Sequence, residues 1–145
     1  MNGVRRVFYG IYRVLIALVA IACVVQIFLA GRGVFGIHGS ASLDDQTSLD
    51  PHRALGDLIS LVTILVFLCA LVVWDKRLVI WTFVLALLAV LVQHATALPK
   101  HPWVAGIHPV SGVAILGISA WLAHSAWAGK PRSAPTGTGA SPEDG

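Results

Sequence analysis

Two histidines carry the pattern with the most chemistry in it. His52 opens His52-Arg-Ala-Leu-Gly56 and His108 opens His108-Pro-Val-Ser-Gly112, so each begins H-x-x-x-G. Read as helix, the glycine falls one turn past the histidine on the same face. An imidazole is a metal ligand, and a glycine below it leaves bare backbone beside whatever the imidazole binds. A flat macrocycle suits that arrangement: the ring nitrogen takes the iron and the cofactor's edge passes the glycine. Two such histidines on opposite sides of one iron make a bis-histidine haem site. His52, His108, Gly56 and Gly112 are therefore the candidate cofactor residues, with haem b as the cofactor. The pattern is short and glycine is common in membrane helices, so plain packing is the competing reading.

The remaining polar residues divide around this pair. Arg53, with Lys100 and Arg32, belongs to the same rim, where a guanidinium pairs well with a propionate carboxylate. Asp57 lies five residues past His52, off its face by roughly 140°, and is within reach of Gln26, Gln93 or His94. His94 and Asp57 are secondary candidates: with His52 or His108 they offer the donors that zinc or iron accepts, though without tight ligand spacing. His38 and His101 read as solvated loop residues and His124 as an interfacial one. His38 and His94 precede His52 and His108 by the same spacing, which hints at two related helix pairs.

The elements that position these residues are set by composition. The chain is 57% hydrophobic and 12% charged, about half the charge of an average soluble domain. Its apolar residues fall in long blocks, so lipid is the solvent for most of it. The spans read as about 14–30, 52–74, 78–98 and 108–127, giving one transmembrane domain over residues 1–128. The first block is too long for a signal-peptide core. Asp50-Pro51 marks the start of the second span, with Asp as cap and Pro as first helical residue. Asp75-Lys76-Arg77 is a tight turn, and Pro99 stops the third span. The Gly-, Pro-, Ser- and Thr-rich tail, 129–145, reads as disordered. The expected fold is all-α, a four-helix up-down-up-down bundle. The second and fourth helices are then diagonal and parallel, which brings His52 and His108 to one end.

Charge sets the expected orientation. Arg5, Arg6, Arg13, Lys76, Arg77, Lys130 and Arg132 lie on one side; Arg32, Arg53 and Lys100 lie on the other. The positive-inside rule makes both termini cytoplasmic in a plasma (inner) membrane, with the histidine end outward. Trp74, Trp81 and Trp127 form the inner aromatic belt and Trp103 the outer one. The net charge of +3 comes from these flanking residues, so nucleic acid is not a partner; the lipid bilayer is. Cys23 and Cys69 fall at different depths and read as packing residues. No nucleophile–base pair or phosphate loop is present.

Across Asp50–Gly56 and His108–Leu122, with Trp121 inside the second stretch, the chain resembles one half of haem A synthase. That enzyme is built from two four-helix units, each with a histidine at the outer end of its second and fourth helices. The resemblance implies axial roles for His52 and His108, and electron transfer or haem handling beside respiratory-chain membrane proteins. A homodimer, in which two copies would imitate the two-unit enzyme, is left open by the sequence. The departures are specific. There is one unit, the first outer loop lacks a cysteine pair, and the nearest carboxylate to His52 is Asp50 rather than a catalytic glutamate. The resemblance therefore implies haem binding more than haem oxidation, and no residue is assigned as catalytic. The chain is also similar to membrane b-type cytochromes and to small single-unit four-span bacterial proteins. The alternative is an accessory subunit without cofactor, whose Gly112, Gly117, Ser119, Ala120 and Ala123 are packing surface.

Overall fold

The structure, a computed structural model, describes residues 2–36, 49–97 and 102–128. Helix α1 spans Gly3–Gly36. Asn2 starts it, its side-chain oxygen accepting from the Arg5 N–H at 3.0 Å. The helix runs well past the expected 14–30. No proline interrupts Asn2–Gly36, and arginine is a good helix former, so the ladder continues through flanks that read as non-spanning. Gly31–Gly36, expected as loop, is the last part of this helix.

Helix α2 spans Asp50–Val73. Leu49 is its N-cap, with no side-chain cap bond. Asp50 is thus the first helical residue and not the cap that the sequence suggested. Its carboxylate accepts from Arg53, three residues on, at 3.2 Å, and an anion there also favours the helix N-terminus. Trp74 ends α2 in the left-handed region at φ 61°. Its N–H donates to the Ala70 carbonyl at 3.0 Å, a closure usually made by glycine. Asp75 caps the next helix at once, accepting from the N–H groups of Arg77 (2.9 Å) and Leu78 (3.1 Å).

Helix α3 spans Lys76–Ala97. It is α-helical over Lys76–Leu87, opens into a single π turn at Leu88–Val92, and is α-helical again over Gln93–Ala97. The short α4, Pro102–Ala105, leads into α5, Ile107–Ala128, with His108 and Pro109 in its first turn. The expected tail at 129–145, and His38, Lys100 and His101, lie outside the described residues.

Among the described residues, four helices are long and apolar enough to cross a membrane. Helix α1 packs on α2 and α5, and α3 packs on the same two. On the diagonals, no Cα of α1 comes within 8 Å of α3, and none of α2 within 8 Å of α5. The result is the expected all-α bundle, closed into a ring of antiparallel neighbours. Its core follows the helical period: Tyr12, Ile16, Val19 and Cys23 on α1; Ile59, Thr63, Val66 and Cys69 on α2; Thr82, Leu85 and Ala89 on α3; Ser111, Ile115, Ser119 and Leu122 on α5. Large apolar side chains cover the outside, as a lipid-facing surface requires. Cys23 and Cys69 are both buried free thiols.

Candidate functional site: two histidines clamped at one end

His52 and His108 come from diagonal helices and meet at one end of the bundle. Their ring centroids are 6.2 Å apart and their planes cross at 64°. Each ring is held by a neighbouring helix. The Nδ1 atom of His52 lies 3.2 Å from the Gln26 backbone carbonyl, and that of His108 lies 3.2 Å from the Gln93 backbone carbonyl. A carbonyl only accepts, so Nδ1 carries the proton in both rings. Each Nε2 is then the nitrogen with the lone pair.

The two glutamines complete the arrangement in the opposite direction. The Gln26 amide donates to the His52 backbone carbonyl at 2.7 Å, and the Gln93 amide donates to that of His108 at 3.0 Å. Each Gln–His pair is therefore a closed ring of two hydrogen bonds between adjacent helices. The half on α3 and α5 carries more. The Gln93 amide also donates to Ser111 Oγ at 2.9 Å, and Thr96 Oγ1 stands 3.5 Å from His108 Nδ1.

This geometry gives H-x-x-x-G a physical reason. The carbonyl of a helical residue points toward the residue four further on, where a side chain would block a second donor. At Gly56 an added Cβ would lie 3.1 Å from Gln26 Nε2, and at Gly112 an added Cβ would lie 3.4 Å from Gln93 Nε2. Gly56 thus opens the His52 carbonyl to the Gln26 amide, whereas a Cβ at Gly112 would only touch the Gln93 amide. Sequence reasoning gave that space to a cofactor edge and missed the glutamines as partners. The signal was there in kind: Gln26 and Gln93 are amides inside apolar spans, and such groups need a bonding partner.

The π turn in α3 sets the second half of the site. One extra residue in a helix is worth about 100° of rotation, so the turn re-aims everything after it. It brings Gln93 onto the face of His108. Its Ala89 carbonyl accepts from Ser60 Oγ of α2 at 2.9 Å.

The other candidates lie apart. Arg53 is at the same end, exposed, and ion-paired with Asp50. His94 Nε2 meets Asp57 Oδ1 at 3.2 Å across α2 and α3, with both side chains on the outside of the bundle. His124 is exposed. Among the described residues there is no group of three or more His, Cys, Asp or Glu placed to hold a metal ion.

An axial pair has a definite ring separation. Two metal–imidazole bonds of about 2.0 Å, plus roughly 1.1 Å from each nitrogen to its ring centre, put trans rings about 6.2 Å apart, whereas a tetrahedral angle draws them to about 5 Å. The observed 6.2 Å matches the trans arrangement. Protonation at Nδ1, with that N–H held by a carbonyl, is also the usual state of a metal-bound histidine. In ring separation and in their Nδ1 partners the two histidines suit an axial pair.

A membrane-spanning four-helix bundle with a doubly clamped histidine pair is thus the class of protein that fold and site define. Residues 26–98 match DUF6220, a family of unknown function, and the chain belongs to that family. The matched segment begins at Gln26 and includes His52, Gly56 and Gln93. No curated protein and no solved structure matches the chain.

Proposed function

We propose that this protein is an integral membrane b-type haem protein, with His52 and His108 as the two axial ligands. The observation that carries the reading is the pair itself: two imidazoles from diagonal helices, 6.2 Å between centroids, with both Nδ1 protons already committed to carbonyls. Bound haem b supplies one-electron chemistry at its iron. The chain's part is to fix the two rings, above a buried core that includes Ile59, Ala89 and Ile115. Arg53 at the rim is the residue to meet a propionate. The resemblance to one half of haem A synthase fits this reading, and so does a role in electron transfer or haem handling beside respiratory membrane proteins. In the proposed orientation the histidine end faces away from the cytoplasm and the membrane is the plasma membrane.

The absorption spectrum of the purified protein is the test. A low-spin haem spectrum is expected, and His52→Ala and His108→Ala should each abolish it. If either variant keeps the spectrum, the ligand assignment is wrong. One observation favours the alternative, an accessory subunit without cofactor: both Gln–His rings close between helices with no ligand taking part. On that reading the protein is colourless and the same variants lose only stability.

A further inference from the structure

We infer that Gln26 and Gln93 are positioning residues for the axial pair, each holding its histidine so that Nε2 faces the bundle axis. The inference rests on the haem reading and deepens it. A single hydrogen bond between two helices leaves both free to slide and pivot about it. Here the bonds come in opposed pairs. The amide of each glutamine reaches the histidine's backbone, and the histidine's ring reaches back to the glutamine's backbone. Sliding either helix stretches one bond or the other, so both the height and the aim of the ring are fixed.

Stitching helices together does not by itself call for this device. Ser60 joins α2 to α3 through one bond to the Ala89 carbonyl, with no histidine involved. The paired form occurs at both candidate ligands, and each time with a glycine facing the amide. The two halves differ in separation along the chain, 26 residues in one and 15 in the other, so the same contact is reached by two routes. Outer partners of this kind orient a ligand histidine and raise its basicity through the Nδ1 hydrogen bond.

The halves also differ in reserve. Ser111 Oγ donates to the His108 carbonyl at 2.9 Å, so that carbonyl keeps a side-chain donor when Gln93 is lost. At the equivalent place below His52 stands Leu55, which has no donor. Gln26 therefore carries more of its clamp than Gln93 does.

The experiment uses the full chain in detergent, titrated with haem. Gln26→Leu keeps the bulk and removes the donor. It should weaken haem binding by roughly 10- to 100-fold, the usual cost of a lost outer partner. It should also raise the reduction potential and move the ferric low-spin resonance signature, because a loosened Nδ1–H bond makes the imidazole a poorer donor to ferric iron. Gln93→Leu should do the same to a smaller extent. Ser60→Ala should lower thermal stability and leave potential and signature unmoved. Should Gln26→Leu fail to fold, Gly56→Ala crowds the amide without removing it and reads the same quantities.

Variants with wild-type affinity, potential and signature overturn the inference while leaving the haem reading intact. The inference also falls if Ser60→Ala shifts the potential as far as Gln26→Leu does. A colourless wild-type protein removes the haem reading itself, and the inference with it.

Discussion

Gly56 and Gly112 sit at equivalent places, one turn past a histidine, yet they are not equally filled. The Gln26 amide is already at 2.7 Å from the His52 carbonyl, so it has no room to retreat inward from a new Cβ at 3.1 Å. A Cβ at Gly112 would meet the Gln93 amide at 3.4 Å, an ordinary contact. Gly56→Ala should therefore destabilise the protein by about 1 kcal/mol relative to Gly112→Ala, the scale of one interhelical hydrogen bond in a membrane protein. Thermal unfolding of the two variants in the same detergent checks this. Equal shifts mean the amide contacts carry no energy. The histidine pair was legible in the sequence because a repeated histidine with glycine at i+4 stands out in an apolar chain. The clamps were not, because Gln26 and Gln93 stand at unlike separations from their histidines. Only the bundle's closure shows that the two contacts are the same. The contact between His94 and Asp57 was among those open to Asp57 in the sequence, and it lies on the outside of the bundle.

Among the elements, α3 decides whether the second clamp exists. Its π turn holds one residue more than an α-helical turn, and Leu91 within it is exposed. Deleting Leu91 removes little packing but restores plain helix, which rotates Gln93 and His94 by about 100° relative to the inner half of α3. The Gln93 bonds to His108 and Ser111 and the His94–Asp57 contact should all go. At about 0.6 kcal/mol for each interhelical bond the loss is about 2 kcal/mol. Leu91→Ala, which keeps the register, should stay near wild type. Melting temperatures of both variants test the register argument, whatever the cofactor. If the deletion is as stable as the substitution, the π turn has no such role. Helices as such were readable from apolar blocks, whereas Asp75, read as part of a tight turn, proves to be the N-cap of α3. Asp75→Ala should accordingly cost about 1 kcal/mol, as a lost N-cap does, in the same melting assay. The π turn was not readable, since Leu88-Ala89-Val90-Leu91-Val92 carries no residue that distinguishes it from ordinary helix. The ends of α1 were misjudged because charge marks where lipid stops, and a helix need not stop there.

For the whole molecule, the two ends of the bundle are chemically opposite. One holds the Gln–His clamps. The other joins guanidinium groups to indoles: Arg13 lies 4.1 Å over the Trp127 ring, Trp127 Nε1 donates to the Arg13 carbonyl at 3.3 Å, and Arg77 lies 4.8 Å over Trp121. These contacts close α1 on α5 and α3 on α5 where basic side chains would otherwise stand alone. Arginine and tryptophan side by side suit a membrane–water boundary, with the charge toward water and the ring toward lipid. In the proposed orientation, taken from the positive-inside rule, that end is cytoplasmic and the clamped histidines face the far side of the membrane. Thiol labelling can decide it, because Cys23 and Cys69 are buried and stay silent to an impermeant maleimide. A cysteine at Arg53→Cys should label on intact cells. A cysteine at Lys76→Cys, at the first residue of α3, should label only after the membrane is opened. The reverse pattern turns the protein over. The candidate site would then open to the cytoplasm, and any electron or haem it handles would come from that side.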